Sequence, residues 1–196
     1  MGQHRDYQEL LRRHAANPIL KAADWPYPCN SVFNPGATRL VDSRQVLLLA
    51  RVEDRSGISH LCAAWSPDGL SQWTIDPAPT LVPDRQRYPE EVWGIEDPRI
   101  TWVPELERYA EVYTSCSRGG PGVSLALTRD FRHFERYGMI LPPEDKDAAL
   151  FPCRFNGLWA ICHRPVPGSG HIVTPERFDF TRSTLEATLD KSGPSV

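Results

Sequence analysis

Nineteen prolines and thirteen glycines are spread along all 196 residues of this chain rather than pooled in one linker. Proline interrupts helices and central strands, and glycine favours turns, so a chain punctuated in this way holds mostly short regular elements. Between the breaks lie runs rich in β-branched, aromatic and leucine residues, which makes short strands the natural filling. Strands are expected over residues 45–52, 59–65, 99–102, 109–115, 123–128 and 158–162. Only residues 7–20 read as a helix, with Leu10, Leu11 and Ala15 on one face, forming an N-terminal arm rather than part of the core.

The apolar fraction, 40%, is enough for a real core, which excludes global disorder. A net charge of −3 supplies no basic field to draw the chain onto a nucleic acid or an anionic membrane, so small-molecule chemistry is the expected class. Apolar stretches such as Val46 to Ala50 are far shorter than the ~20 residues that cross a bilayer, and the start, Met1 to Asp6, lacks the apolar core of a signal peptide. The expected location is therefore the cytosol. The five cysteines (Cys29, Cys62, Cys116, Cys153 and Cys162) form no C-x-x-C pair, which points to buried free thiols and to neither a disulfide framework nor a metal site.

A faint repeat runs through the strand-rich region. Ser66-Pro67-Asp68-Gly69 is followed by Trp73, and Thr128-Arg129-Asp130-Phe131 by Phe134. Each group closes a strand with a hydroxyl, an acid two residues on and then an aromatic, and the two acids are 62 residues apart. An Asx-type turn followed by an aromatic packing back on a sheet accounts for the grouping. Strand repeats of this length point to a β-propeller, whose polar loops face a central channel.

Three polar clusters lie near strand ends. Trp93-Gly94-Ile95-Glu96-Asp97-Pro98-Arg99-Ile100 places adjacent carboxylates and an arginine at the mouth of a strand. Pro98 disfavours helix at Asp97, so Glu96 and Asp97 are expected to be extended and to point to opposite sides. The other two are Leu49 to Gly57, which contains Arg51-Val52-Glu53-Asp54-Arg55, and Pro143 to Pro152, followed by Cys162-His163-Arg164-Pro165. On residue types alone, each also fits a solvated turn with a salt bridge.

The order of the motifs Asn34-Pro35-Gly36-Ala37, Arg51-Val52-Glu53-Asp54-Arg55, Gly94-Ile95-Glu96-Asp97-Pro98-Arg99, Gly120-Pro121-Gly122-Val123, Lys146-Asp147-Ala148-Ala149-Leu150-Phe151-Pro152 and His163-Arg164-Pro165 resembles glycoside hydrolase family 130. The likeness covers residues 18–171. It implies an all-β, five-bladed β-propeller with an axial active site acting on terminal β-mannosides. Most such enzymes use phosphate and release α-mannose 1-phosphate with inversion; others are hydrolases. Inverting phosphorolysis needs one acid for the leaving oxygen and cations to hold the phosphate, which itself carries the nucleophilic oxygen.

The resemblance makes Asp97 the acid, acting through a sugar hydroxyl. It suggests Arg51, Lys146, His163, Arg164 and, from a less well matched loop, Arg118 as phosphate ligands. Asn34, Glu96, Arg99 and Asp147 are the candidates for binding sugar hydroxyls or orienting the acid. The implied partners are a mannose-containing oligosaccharide and inorganic phosphate as co-substrate, with no further cofactor, metal, nucleic acid or membrane, and with a homo-oligomer left open. An inverting β-mannosidase and a non-catalytic carbohydrate-binding propeller remnant are the alternatives.

Five blades at the observed spacing would need about 310 residues, so an incomplete propeller of about three blades is expected. The expected organisation is an arm over residues 1–20, a partial propeller over 21–172 and a divergent tail over 173–196. A truncated or frameshifted reading frame would explain the loss of resemblance after residue 172, and low or no activity for the chain alone would follow.

Overall fold

The computed structural model describes residues 12–165, and these are almost entirely β. The strands are β1 (Ser31–Arg39), β2 (Val46–Glu53), β3 (Ser59–Ser66), β4 (Thr74–Ile75), β5 (Ile95–Val103), β6 (Arg108–Ser117), β7 (Gly120–Thr128), β8 (Phe134–Leu141), β9 (Asp145–Leu150) and β10 (Ile161–Pro165). They form three sheets in chain order: β1-β2-β3-β4, β5-β6-β7-β8 and the pair β9-β10. Every strand pairing within them is antiparallel. The helical elements among the described residues are three single 3-10 turns, Ala22–Asp24, Pro89–Glu91 and Pro104–Leu106.

Side-chain alternation explains how the sheets stack. On β6, Tyr109 and Tyr113 face the first sheet and pack with Leu47, Leu49, Leu61, Ala63 and Leu81. The alternate residues Ala110 and Val112 turn to the other face, where they join Leu150, Trp159 and Ile161 of the third region. The two central strands of the middle sheet, β6 and β7, are thus buried on both faces along most of their length. The remaining face of the first sheet packs Ala50, Val52 and Cys62 against Trp25, with Leu20 and Tyr27 at the edge. Each such fully buried large side chain contributes about 1.5–3 kcal/mol relative to exposure.

The 62-residue repeat is physical. Asp68 Oδ1 accepts the backbone N–H groups of Leu70 and Ser71 at 2.8 Å each, and Asp130 Oδ1 accepts those of Arg132 and His133 at 2.8 Å each. Ser66 Oγ accepts from Gly69 N–H and donates to the Ser71 carbonyl, while Thr128 Oγ1 accepts from Phe131 N–H and donates to the His133 carbonyl. Gly69 (φ +79°) and Phe131 (φ +54°) occupy the same left-handed position. Phe131 tolerates it with its ring fully buried between the first two sheets.

Several expectations need correction. Residues 12–20 form turns and bends rather than a helix, and residues 7–11 of the expected arm lie outside the described residues. His14 diverts the local backbone, its Nδ1 accepting from Ala16 N–H and its carbonyl from Asn17 N–H, and Pro18 disfavours helix at Asn17. The expected strand at 158–162 is β10, displaced to Ile161–Pro165. All five cysteines are free, but Cys62 alone is buried and Cys153 is exposed. The tail expected from residue 173 lies outside the described residues.

Candidate functional site

The first strand of each sheet carries one polar residue in the left-handed region: Asn34 on β1 (φ +45°), Asp97 on β5 (φ +50°) and Asp147 on β9 (φ +54°). Each falls at a break in register, between Phe33 and Gly36, between Glu96 and Arg99, and opposite the Cys162 to Arg164 shift. Such bulges re-aim side chains out of the regular pleat, and backbone strain of this kind gathers at functional sites. Here the strands meet: β1 packs beside β5 and β5 beside β9.

Arg51, on β2, is the centre of the cluster. Its NH2 donates to Glu96 Oε1 at 2.7 Å, its NH1 to Asp97 Oδ1 at 3.2 Å and its Nε to Ser59 Oγ at 2.9 Å. The guanidinium lies 4.5 Å above the Phe33 ring, a cation–π floor. Asn34 Nδ2 donates to the same Asp97 Oδ1 at 3.0 Å, so both donors hold one oxygen and no hydrogen bond among the described residues engages Oδ2. The side chains of Arg51 and Asp97 are only 15% and 14% exposed, which places this pair largely out of bulk solvent.

Glu96 and Asp97 therefore do not diverge as an extended dipeptide would. Both reach the same cation, because the left-handed turn at Asp97 cancels the alternation expected from Pro98. Burial pushes the Glu96 carboxyl above its ordinary range, with Arg51 opposing, Asp97 adding to the rise and Lys146 opposing. Cys116 lies in the same electrostatic group, its thiol pushed up to about 12 by burial and then by Glu96.

The other candidates are distributed unevenly. Lys146 is partly buried on β9 and close enough to act on Glu96. Arg164 pairs with Asp147 across the β9–β10 ladder. His163 is buried, its Nδ1 2.5 Å from Asp145 Oδ2; burial raises the Asp145 carboxyl and the His163 contact opposes that rise. Arg99 turns back on its own strand, donating to the Pro98 and Asp97 carbonyls. Arg118 is exposed in the β6–β7 turn and, among the described residues, is joined to no carboxylate.

Phe33, Ser59, Cys116 and Asp145 were not singled out from sequence. Phe33 had a signal, since it stands directly opposite Arg51 once β1 and β2 are paired. Ser59 is diagonal to Arg51 on β3, whereas Cys116 is made relevant only by tertiary packing. Among the described residues no group of three or more His, Cys, Asp or Glu side chains is placed to hold a metal ion. A surface groove lined by Ile19, Leu20, Leu70, Trp73 and Ile75 shares no residue with the cluster.

A family model, Glyco_hydro_130, described as beta-1,4-mannooligosaccharide phosphorylase, matches residues 11–183, running past residue 172. A beta-1,4-mannooligosaccharide phosphorylase from Ruminococcus albus is 28% identical over 177 residues, covering 88% of this chain and 51% of that protein. A beta-1,2-mannobiose phosphorylase from Listeria innocua is 33% identical over 127 residues, 63% of this chain and 34% of that one. The chain spans 34% to 55% of the length of these and two further curated phosphorylases. The structure of a Listeria innocua beta-1,2-mannobiose phosphorylase in complex with beta-1,2-mannobiose superposes with a TM-score of 0.72 at 24% identity, covering 87% of this chain and 64% of that one, a likeness of fold.

Proposed function

The chain belongs to glycoside hydrolase family 130, and from that premise we propose that its polar cluster is part of a site for inverting phosphorolysis of terminal β-mannosides, releasing α-mannose 1-phosphate. The three sheets are read as successive blades of a five-bladed propeller, with the first strands facing the channel. One observation carries the reading: Asp97 is held through Oδ1 alone, by Arg51 and Asn34, which leaves Oδ2 for a substrate.

A proton on Oδ2 would pass to the departing sugar oxygen, through a sugar hydroxyl, as the C1–O bond breaks and a phosphate oxygen bonds to C1 from the opposite face. Lys146 and Arg164 supply cations for the phosphate, with His163 behind them. Arg51 is already committed to the carboxylates, so its role shifts from phosphate ligand to organiser of the acid. Glu96 and Asn34 orient the acid, and Asp147 orients Arg164. Arg99 braces the turn, and Arg118, exposed in the β6–β7 turn, is left as a further phosphate ligand.

Hydrolysis is the second reading. Asp147, paired with Arg164, offers the second carboxylate that water activation requires.

Incubation with β-1,2- and β-1,4-mannobiose, with and without phosphate, separates the two. Mannose 1-phosphate should form only with phosphate, and free mannose released equally fast without it would transfer the assignment to a hydrolase. Asp97→Asn should lower the rate by about 10²–10⁴-fold while leaving the fold intact. A site lined by three first strands excludes water poorly, so the 196 residues alone should turn over far more slowly than the ordinary range of roughly 1–10³ per second.

A further inference from the structure

Arg51 has a long side chain with several rotatable bonds, yet three of its nitrogens are engaged at once. A guanidinium is planar and its N–H groups form a rigid fork, so fixing the direction of Nε–H also fixes where NH1 and NH2 aim. Ser59 Oγ is the acceptor that fixes Nε, at 2.9 Å. Ser59 is 1% exposed and sits in β3 opposite Glu53, two residues along from the Arg51–Leu61 pair and so on the same face of the sheet. The hydroxyl cannot drift with solvent.

The same residue also docks the strand that bears the carboxylates. Ser59 forms a parallel bridge with Gly94, immediately before β5. A Cβ at Gly94 would lie 2.9 Å from both the N and the O of Ser59, and Gly94 has φ +114°, so glycine alone permits this approach. One serine thus meets the cation through its hydroxyl and the entrance to Glu96 and Asp97 through its backbone.

We infer that Ser59 is a positioning residue of the site, aiming Arg51 at Glu96 and Asp97 while its backbone sets the distance of the strand that carries them. The inference rests on the proposed site for its catalytic meaning, but its geometric content stands without it. Loss of the hydroxyl would free Nε, let the fork rotate and weaken the field of Arg51 at Glu96. The other groups acting on Glu96 are Asp97 from β5, Cys116 from β6 and Lys146 from β9, and all of them remain in a Ser59 variant.

Carboxyl ¹³C titration by NMR of the full 196-residue chain tests this directly. In Ser59→Ala the Glu96 midpoint should rise by about 0.5 pH unit or more, since burial then acts with less opposition from Arg51. Ser59→Thr, which keeps the hydroxyl, should return it towards the wild-type value. Ser59→Cys, which keeps the size but offers only a weak acceptor, reads the same shift should alanine loosen the strand too far to fold. An unchanged Glu96 midpoint in folded Ala or Cys variants, or an equal rise in the Thr variant, overturns the assignment. Mannobiose cleavage is followed in parallel: free mannose released equally fast without phosphate would remove the phosphorylase reading and leave the titration result standing.

Discussion

Glu111 is fully buried on the face of β6 between Tyr109 and Tyr113, and neither carboxyl oxygen has a hydrogen-bond partner. Burial pushes its pKa up to about 8, with Arg136 opposing. Arg136 is itself committed to Glu91 and the Tyr113 hydroxyl. The native state therefore retains a proton on Glu111 that the unfolded chain releases above about 4.5. Stability should decline as pH rises from about 4.5 to about 8, by up to roughly 1.4 kcal/mol per pH unit, and level off above. Buried His60 is pushed down and contributes the opposite slope below its unfolded value of 6.5, so the comparison of wild type with Glu111→Gln isolates the carboxyl. Urea denaturation across this range should show the decline in the wild type relative to the variant; parallel profiles would mean that Glu111 is ionised in the fold. At this scale chemistry and motif order marked Arg51 and Asp97, and the fold brings the two within a hydrogen bond. The sequence was misleading where a bulge overrode alternation, as at Glu96, and silent at Glu111, whose burial depends on packing between sheets.

At the scale of elements, Thr128 closes the second Asx turn through contacts to Phe131, Asp130 and His133. Thr128→Ala should cost about 1–3 kcal/mol, because a buried donor and acceptor lose their hub, and Thr128→Ser should recover most of it. Calorimetry would register this as a fall in Tm of roughly 2–4 °C per kcal/mol. Gly94→Ala should be more damaging, since its Cβ meets backbone atoms of Ser59 that cannot rotate away. A variant melting like wild type would show that β3 and β5 can separate without cost. Strands with two buried faces were legible from apolar runs, as with β2, β3, β6 and β7. Those with broken patterns were not: β1 contains Asn34-Pro35-Gly36, β8 mixes Glu135 and Arg136 with Gly138, and β9 opens Asp145-Lys146-Asp147. Their β character comes from the partner strand, because isolated polar segments gain little by extending.

Across the whole molecule, the sheets are joined by a polar latch as well as by their cores. Arg132, from the turn of the second sheet, donates to both oxygens of Asp76 at the end of the first, at 2.6 and 3.0 Å, while Trp65 Nε1 donates to Asp76 Oδ1. Arg132→Ala should destabilise by roughly 1–3 kcal/mol, less than loss of a fully buried partner, because the arginine side chain is 54% exposed. The middle sheet, screened on both faces, is a different kind of object from its neighbours. Amides of β6 and β7 should exchange with solvent only on global unfolding, whereas those of β1 and β10 should open locally and much sooner. The cluster straddles that gradient, with Arg51 on the first sheet and Glu96 and Asp97 on the middle one. Partial opening of the first sheet would separate cation from carboxylates while most of the protein stayed folded. In a denaturant series, the coupling between Arg51 and Glu96 should therefore disappear before bulk β structure does, making the site the molecule's earliest sensor of its own loosening.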